Sequence, residues 1–253
     1  VVAHSGPPPL ANLPPLRYAI EGVVASAAAV ACVSESVAAQ VVPFARPGAE
    51  GRIRALGLGV DLRPAPPRPA APGRPLDLLF AGRLVPIKGV DVLLRAIEGL
   101  DGVRLTIAGD GPEGTALRRQ AADRGVDARF LGEVPNAGVL EAMLASDALV
   151  VPSRDGPMGR REGLPRVLLE AWACGLPVVA STTGGLAEVS GEPGLLAFPP
   201  GDARMLRDRV VALRDGMDLR GRLREGALAA AASRSWTVVG PRWASLVRDA
   251  AIR

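Results

Sequence analysis

Aromatic residues make up only 3% of this 253-residue chain, and cysteine occurs twice, at Cys32 and Cys174. So few aromatics leave no platform on which bases could stack. No stretch interleaves them with basic residues, which excludes nucleic acid as a partner. The two cysteines are far apart, one in an Ala/Val-rich stretch and one at a helix end. They read as buried free thiols in a reducing compartment rather than as a disulfide framework. Lysine and histidine are nearly missing too: Lys88 and His4 are the only ones of their kind. The net charge of +4 is carried almost wholly by arginine and is too small to argue for a polyanion. No apolar run reaches the 18 or so residues that a bilayer span needs. The expected location is cytoplasmic, with peripheral attachment at the inner membrane face left open.

What is present is a large apolar fraction, 48%, enough for a sizeable core in one to two domains. Residues 1–62 read as a strand end at Val1, a helix around Tyr18–Ala28, a strand at Ala29–Val33 and a second helix after Ser34. This is too little for an independent doubly wound half, so the segment reads as the remnant of an N-terminally truncated domain. Residues 63–75 are a connector: six prolines fall between Pro64 and Pro75 without apolar periodicity. From residue 76 to 234 the pattern is regular. Strands are expected at Asp77–Ala81, Arg104–Ala108, Arg129–Leu131, Ala148–Val151, Val178–Ala180 and Leu195–Phe198. Helices are expected at Val90–Glu98, Glu113–Arg124, Ala137–Ser146, from Pro165 to Gly175, and at Asp202–Arg214 and Leu219–Ala232. Strands separated by helices of this length imply parallel βαβ units, hence an α/β fold with an open, doubly wound sheet. Residues 235–253 form a last amphipathic helix.

The stretch from Pro152 to Ser181 concentrates the chemistry. Pro165 suits a helix start, and Gly175 with Pro177 suits its stop. The loop between Ser153 and Leu164 lies at the carboxyl end of a parallel strand, where open α/β sheets bind ligands. The helix N-terminus offers free N–H groups to an anion. Glu162 precedes it and Glu170 lies about one and a half turns inside. Carboxylates accept hydrogen bonds only, so two of them beside an anion site suit a ligand with a phosphate and neighbouring hydroxyls, as in a sugar nucleotide. The spacing alone is weak. Twelve glutamates would give such a pair by chance in about every second chain, and Glu133 with Glu141 repeats it in an ordinary context. A second cluster, Gly82-Arg83-Leu84-Val85-Pro86-Ile87-Lys88-Gly89, puts a guanidinium and an ammonium five residues apart after the first strand of the regular part. Together these could clamp a diphosphate.

These residues resemble retaining glycosyltransferases of family 4, also described as glycosyl transferases group 1, which have the GT-B fold. Glu162 and Glu170 match the family's E-x7-E signature, and the loop from Gly82 matches its G-R-L-x-x-x-K-G motif. The resemblance is strong over residues 76–234. It implies that Gly82, Arg83 and Lys88 hold the donor's diphosphate and that Glu170 accepts from the nucleotide ribose. Glu162, with the backbone of Gly163, Leu164 and Pro165, would recognise the sugar, and Val134 would help hold the base. His4 would point into the interdomain cleft near the reacting carbon. The family more often has Gly-Phe-Gly where this chain has Gly-Leu-Pro, so one backbone donor is gone at Pro165. The family's N-terminal glycine-rich loop has no counterpart.

The implied reaction moves a sugar from a UDP- or GDP-sugar to an acceptor hydroxyl with retention, as in polysaccharide or glycolipid synthesis, the departing phosphate serving as base. No cofactor is expected, and no Asp-x-Asp metal motif occurs. The alternatives are a sugar-nucleotide epimerase of the same architecture or a non-catalytic nucleotide-sugar-binding fragment. A Rossmann dehydrogenase is the most remote, because no strand-following Gly-x-Gly-x-x-Gly is recognised.

Overall fold

The computed structural model describes residues 1–3, 7, 11–65, 74–157 and 161–251. Its main body is a six-stranded, all-parallel sheet of β4 (Leu76–Ala81), β5 (Val103–Ala108), β6 (Ala128–Gly132), β7 (Ala148–Val151), β8 (Val178–Ser181) and β9 (Leu195–Phe198), in the order β6-β5-β4-β7-β8-β9. The chain moves outward from β4 in one direction, then returns to the other side of β4 with β7. The strand order therefore reverses between β4 and β7, and a crevice opens outside their carboxyl ends.

Alternation along each strand decides which helices cover which face. Leu78 and Phe80 of β4 enter one core cluster with α3 (Val90–Ile97), α4 (Gly114–Asp123) and α7 (Ala203–Asp215). Leu79 and Ala81 point the other way, into a second cluster with α5 (Asn136–Leu144), α6 (Arg166–Ala173) and most of α8 (Met217–Ala232). Both faces are dry, so these strands read as continuous apolar runs in the sequence.

The N-terminal residues build a smaller parallel sheet of β1 (Val2–Ala3), β2 (Val30–Cys32) and β3 (Ile53–Ala55), with α1 (Pro14–Ser26) and α2 (Glu35–Val41). Its own core includes Val24, Cys32, Val37, Val41 and Phe44. The last helix, α9 (Trp236–Ala251), lays Leu246 against Ala31 and Leu56 of this part. The two chain segments that join the parts run side by side: Val60 N donates to Arg234 O at 3.0 Å and Trp236 N to Val60 O at 3.3 Å. Glu188 ties the parts at another point, its carboxylate accepting from the Glu35 amide at 3.1 Å and the Ser36 amide at 2.6 Å.

Three local expectations shift. Pro165 has extended ψ and caps α6 rather than lying in its first turn. Strand β3 was not expected; it is recognisable only through its pairing with β2. Thr183-Gly184-Gly185, which reads from the sequence as a turn after the strand at Val178–Ala180, opens a 3₁₀ helix, Gly184–Val189. His4 and residues 66–73 of the proline-rich connector lie outside the described residues, as do 158–160 of the loop before α6.

Candidate functional site

The crevice is built from backbone upward. After β4 the chain turns at Gly82 and forms a 3₁₀ turn, Pro86–Lys88, which ends at Gly89 in the left-handed region, φ 67°. A Cβ at Gly89 would stand 2.0 Å from Pro152 O, so only glycine lets the loops after β4 and β7 touch at this point. The loop after β5 packs on the first of these: Leu84 N donates to Asp110 O at 2.8 Å, and a Cβ at Gly109 would meet Gly82 O at 1.9 Å. Gly109, Gly111 and Gly114 do carry a Gly-x-Gly-x-x-Gly spacing after a strand. Here Gly109 and Gly111 are used up by close approach to Gly82 and Leu84 rather than held open for a pyrophosphate.

Across the switch point Lys88 Nζ pairs with Glu162 Oε1. Both side chains are largely enclosed, with 21% and 13% of their surface exposed. Ser153, wholly buried, donates its hydroxyl to Glu162 Oε2 at 2.5 Å, and the Ser181 hydroxyl donates to the Ser153 carbonyl. Gly82 sits beside this pair, a Cβ built there standing 3.9 Å from Lys88 Cε. Arg83 is exposed at the rim, and its guanidinium has no hydrogen bond or ion pair among the described residues. An ammonium has three donors, so Lys88 can hold Glu162 and still meet an anion.

Glu162 is fixed through its backbone as well. Gly185 N donates to Glu162 O at 2.9 Å, and a Cβ at Gly185 would lie 2.5 Å from Leu164 N. The Glu162-Gly163-Leu164 segment is thus seated on the Gly184–Gly185 turn, and Pro165 then caps α6. Thr183 Oγ1 donates to Asp155 within the same rim.

The structure brings Arg83, Lys88, Glu162, Gly163, Leu164 and Pro165 to one edge. Glu170 sits further along α6. It pairs with Arg166 at 3.4 Å and lines a cavity of about 210 Å³ with Asp61, Arg63, Asn136 and Trp236, which neither Lys88 nor Glu162 lines. Burial raises the Cys174 thiol pKa in the wall of that cavity. Val134 is half-buried at the carboxyl end of β6, packed on the second core cluster. Among the described residues no group of three or more His, Cys, Asp or Glu side chains is placed to hold a metal ion, and no helix is long and apolar enough to cross a membrane. Sequence reading did not single out Ser153, Arg154 or Ser181. The available signal was their position directly after, or at the end of, strands β7 and β8.

A family model described as Glycosyl transferases group 1 matches residues 75–215. The phosphatidyl-myo-inositol mannosyltransferase of Mycobacterium leprae is 39% identical over 191 residues, which cover 72% of this chain and 49% of the relative. The GDP-mannose-dependent monoacylated alpha-(1-6)-phosphatidylinositol monomannoside mannosyltransferase of Corynebacterium glutamicum is 33% identical, covering 66% and 45%. The D-inositol 3-phosphate glycosyltransferase of Mycobacterium tuberculosis is 36% identical, covering 68% and 38%. The chain spans half or less of the length of these relatives. Among solved structures, Anabaena Alr3699/HepE in complex with UDP and glucose superposes with TM-score 0.82 at 20% identity, covering 98% of this chain and 70% of that one. Sucrose-phosphate synthase from Thermosynechococcus elongatus gives 0.79 at 22%, covering 98% and 66%. The likeness shows the fold, α/β of the GT-B type.

Proposed function

The chain belongs to the glycosyl transferases group 1 family, and from that premise we propose that it moves a sugar from a nucleoside-diphosphate sugar to an acceptor hydroxyl with retention at the anomeric carbon. The observation that carries the reading is the Lys88–Glu162 pair spanning the switch point between β4 and β7. In the proposed complex the diphosphate lies over Lys88, Arg83 and the α6 N-terminus. The bond between the anomeric carbon and the diphosphate oxygen breaks, and negative charge grows on the leaving group. Cations and a helix dipole already oriented there favour that charge without reorganising. The acceptor oxygen bonds to the same face of the anomeric carbon, and its proton passes to the departing diphosphate. Glu162 accepts hydrogen bonds from the sugar hydroxyls, and Glu170 is assigned to the ribose. The step needs no resident cofactor. Because the relatives named above act on inositol-bearing acceptors, an inositol hydroxyl, free or on a lipid, is the acceptor we assign.

Calorimetry with GDP-mannose, UDP-glucose, GDP, UDP and the bare nucleosides tests this. Lys88→Ala should weaken diphosphate binding by roughly tenfold or more, the scale of a charge-assisted contact, and leave nucleoside binding unchanged. Equal losses for both would remove Lys88 from the phosphate site. Failure of every nucleotide and nucleotide sugar to bind the wild-type chain would sink the reading.

A further inference from the structure

Two consecutive residues leave β7 and reach opposite ends of the ion pair. Ser153 has none of its surface exposed and donates to Glu162 Oε2 at 2.5 Å, while its own carbonyl is held by the Ser181 hydroxyl. Arg154 turns toward the other loop. Its amide donates to Ile87 O at 2.8 Å, its Nε to Pro86 O at 2.8 Å, and its Nη1 reaches Asp91 Oδ2 at 3.1 Å at the start of α3. Arg154 therefore grips the three-residue turn that carries Lys88 by two of its carbonyls and anchors it to the following helix.

We propose that Ser153 and Arg154 are separate positioning residues for the two halves of the site: Ser153 aims the carboxylate that meets the sugar, and Arg154 sets the turn whose ammonium meets the diphosphate. The assignment rests on the function proposed above. A glutamate has three side-chain torsions, and Lys88 and Ser153 together fix them. When a diphosphate draws the ammonium toward itself, Ser153 is the donor left to keep Oε2 in place. A turn of one 3₁₀ repeat has little intrinsic stability. The guanidinium fork spans its carbonyl and the Asp91 carboxylate together, which a lysine could not do.

The two roles separate in a binding experiment. Calorimetry compares UDP with UDP-glucose, and GDP with GDP-mannose, on the wild-type chain and on Ser153→Ala, Ser153→Thr and Arg154→Ala, with a melting temperature recorded for each. Ser153→Ala should weaken the nucleotide sugar by roughly tenfold, the value of a lost hydrogen bond to a charged group, and leave the free nucleoside diphosphate within about twofold. Ser153→Thr, which restores the hydroxyl, should recover the sugar-dependent part. Arg154→Ala should weaken both ligands by the same factor, again roughly tenfold, leaving their ratio unchanged. A purely structural role would instead lower both ligands together in both variants, and that result overturns the proposal. So does a pair of variants that bind as the wild type does. Should the Ser153 variants fail to fold, Ser181→Ala decides: it leaves the Ser153 hydroxyl in place but frees its carbonyl, and it should move the sugar-dependent ratio in the same direction by a smaller factor. An unchanged ratio there counts against the proposal. A wild-type chain that binds neither class of ligand overturns both this assignment and the function; a wild type that binds, with variants that do not separate, overturns this assignment alone.

Discussion

At the amino ends of β4 and β7, Arg74 holds Asp147 with two hydrogen bonds, at 2.6 and 3.0 Å, and reaches Asp77 at 3.1 Å. The Asp77 amide donates to Asp147 Oδ2 at 2.9 Å, the Asp147 amide to Asp77 O at 2.7 Å, and Arg104 closes on Asp77 Oδ1 at 2.7 Å. At the carboxyl ends of the same two strands Lys88, Glu162 and Ser153 meet, and the Arg83 guanidinium has no partner among the described residues. Both clusters straddle the same strand pair, yet their contents differ. Below, donors and acceptors answer one another, and the hydrogen bond to Asp147 lifts the Arg74 pKa above its ordinary value. Above, among the described residues, a cationic donor is left over at Arg83. A charge cluster closed on itself holds strands together, and one with spare donors is fitted to bind something else.

The sharpest way to break that distinction is to cut each cluster and ask what is lost. Asp147 has 6% of its side chain exposed, and its removal strands the bidentate guanidinium. Asp147→Ala should cost about 3 kcal/mol of unfolding free energy, the range for a buried pair losing one partner. Urea unfolding reads the cost, and the remaining folded protein should bind nucleoside diphosphate as the wild type does. A loss below about 1 kcal/mol, or a selective loss of binding, would erase the difference between the two edges.

Gly89→Ala comes next and acts on the upper edge. The new methyl group would meet Pro152 O at 2.0 Å in a backbone conformation that alanine resists, so the two loops must part. About 2 kcal/mol of stability should go, from left-handed strain and overpacking together. Diphosphate affinity should fall with it, because Lys88 is the preceding residue. If binding survives intact in the folded variant, the backbone contact between the loops is not what places the ammonium.

How far this contrast could be read from the sequence depended on the range of the interactions. Leu78 and Phe80 against Leu79 and Ala81 form an unbroken apolar run, and the glycines after it mark the strand's end, so the sheet and its ligand-facing loops were legible. Lys88 and Glu162 were legible as loop residues after strands. Their contact was not, since 74 positions separate them and only the strand order makes β4 and β7 neighbours. The same holds for Ser153 with Ser181 and for Arg154 with Pro86, pairs made by register rather than by local pattern. Strand β3 escaped because Ile53-Arg54-Ala55 is indistinguishable from loop until β2 pairs with it. The Gly109–Gly114 spacing shows the reverse risk: a motif is present while its glycines serve packing.

The smallest expected effect concerns a third charged pair that belongs to neither cluster. Arg166 and Glu170 lie one turn apart on α6 at 3.4 Å, with 75% and 42% of their side chains exposed. Such a pair in water contributes little, so Arg166→Ala should change stability by less than about 0.5 kcal/mol. The proposed ribose role makes the informative reading one of sign. If Glu170 accepts from the nucleotide, removing Arg166 frees that carboxylate for its ligand, and nucleotide affinity should hold steady or rise while Glu170→Gln lowers it. If the pair is only a helix-surface contact, both substitutions leave affinity where it was. Thermal unfolding and calorimetry on the same two variants decide between these, because the first reads the helix and the second reads the cavity that Glu170 faces.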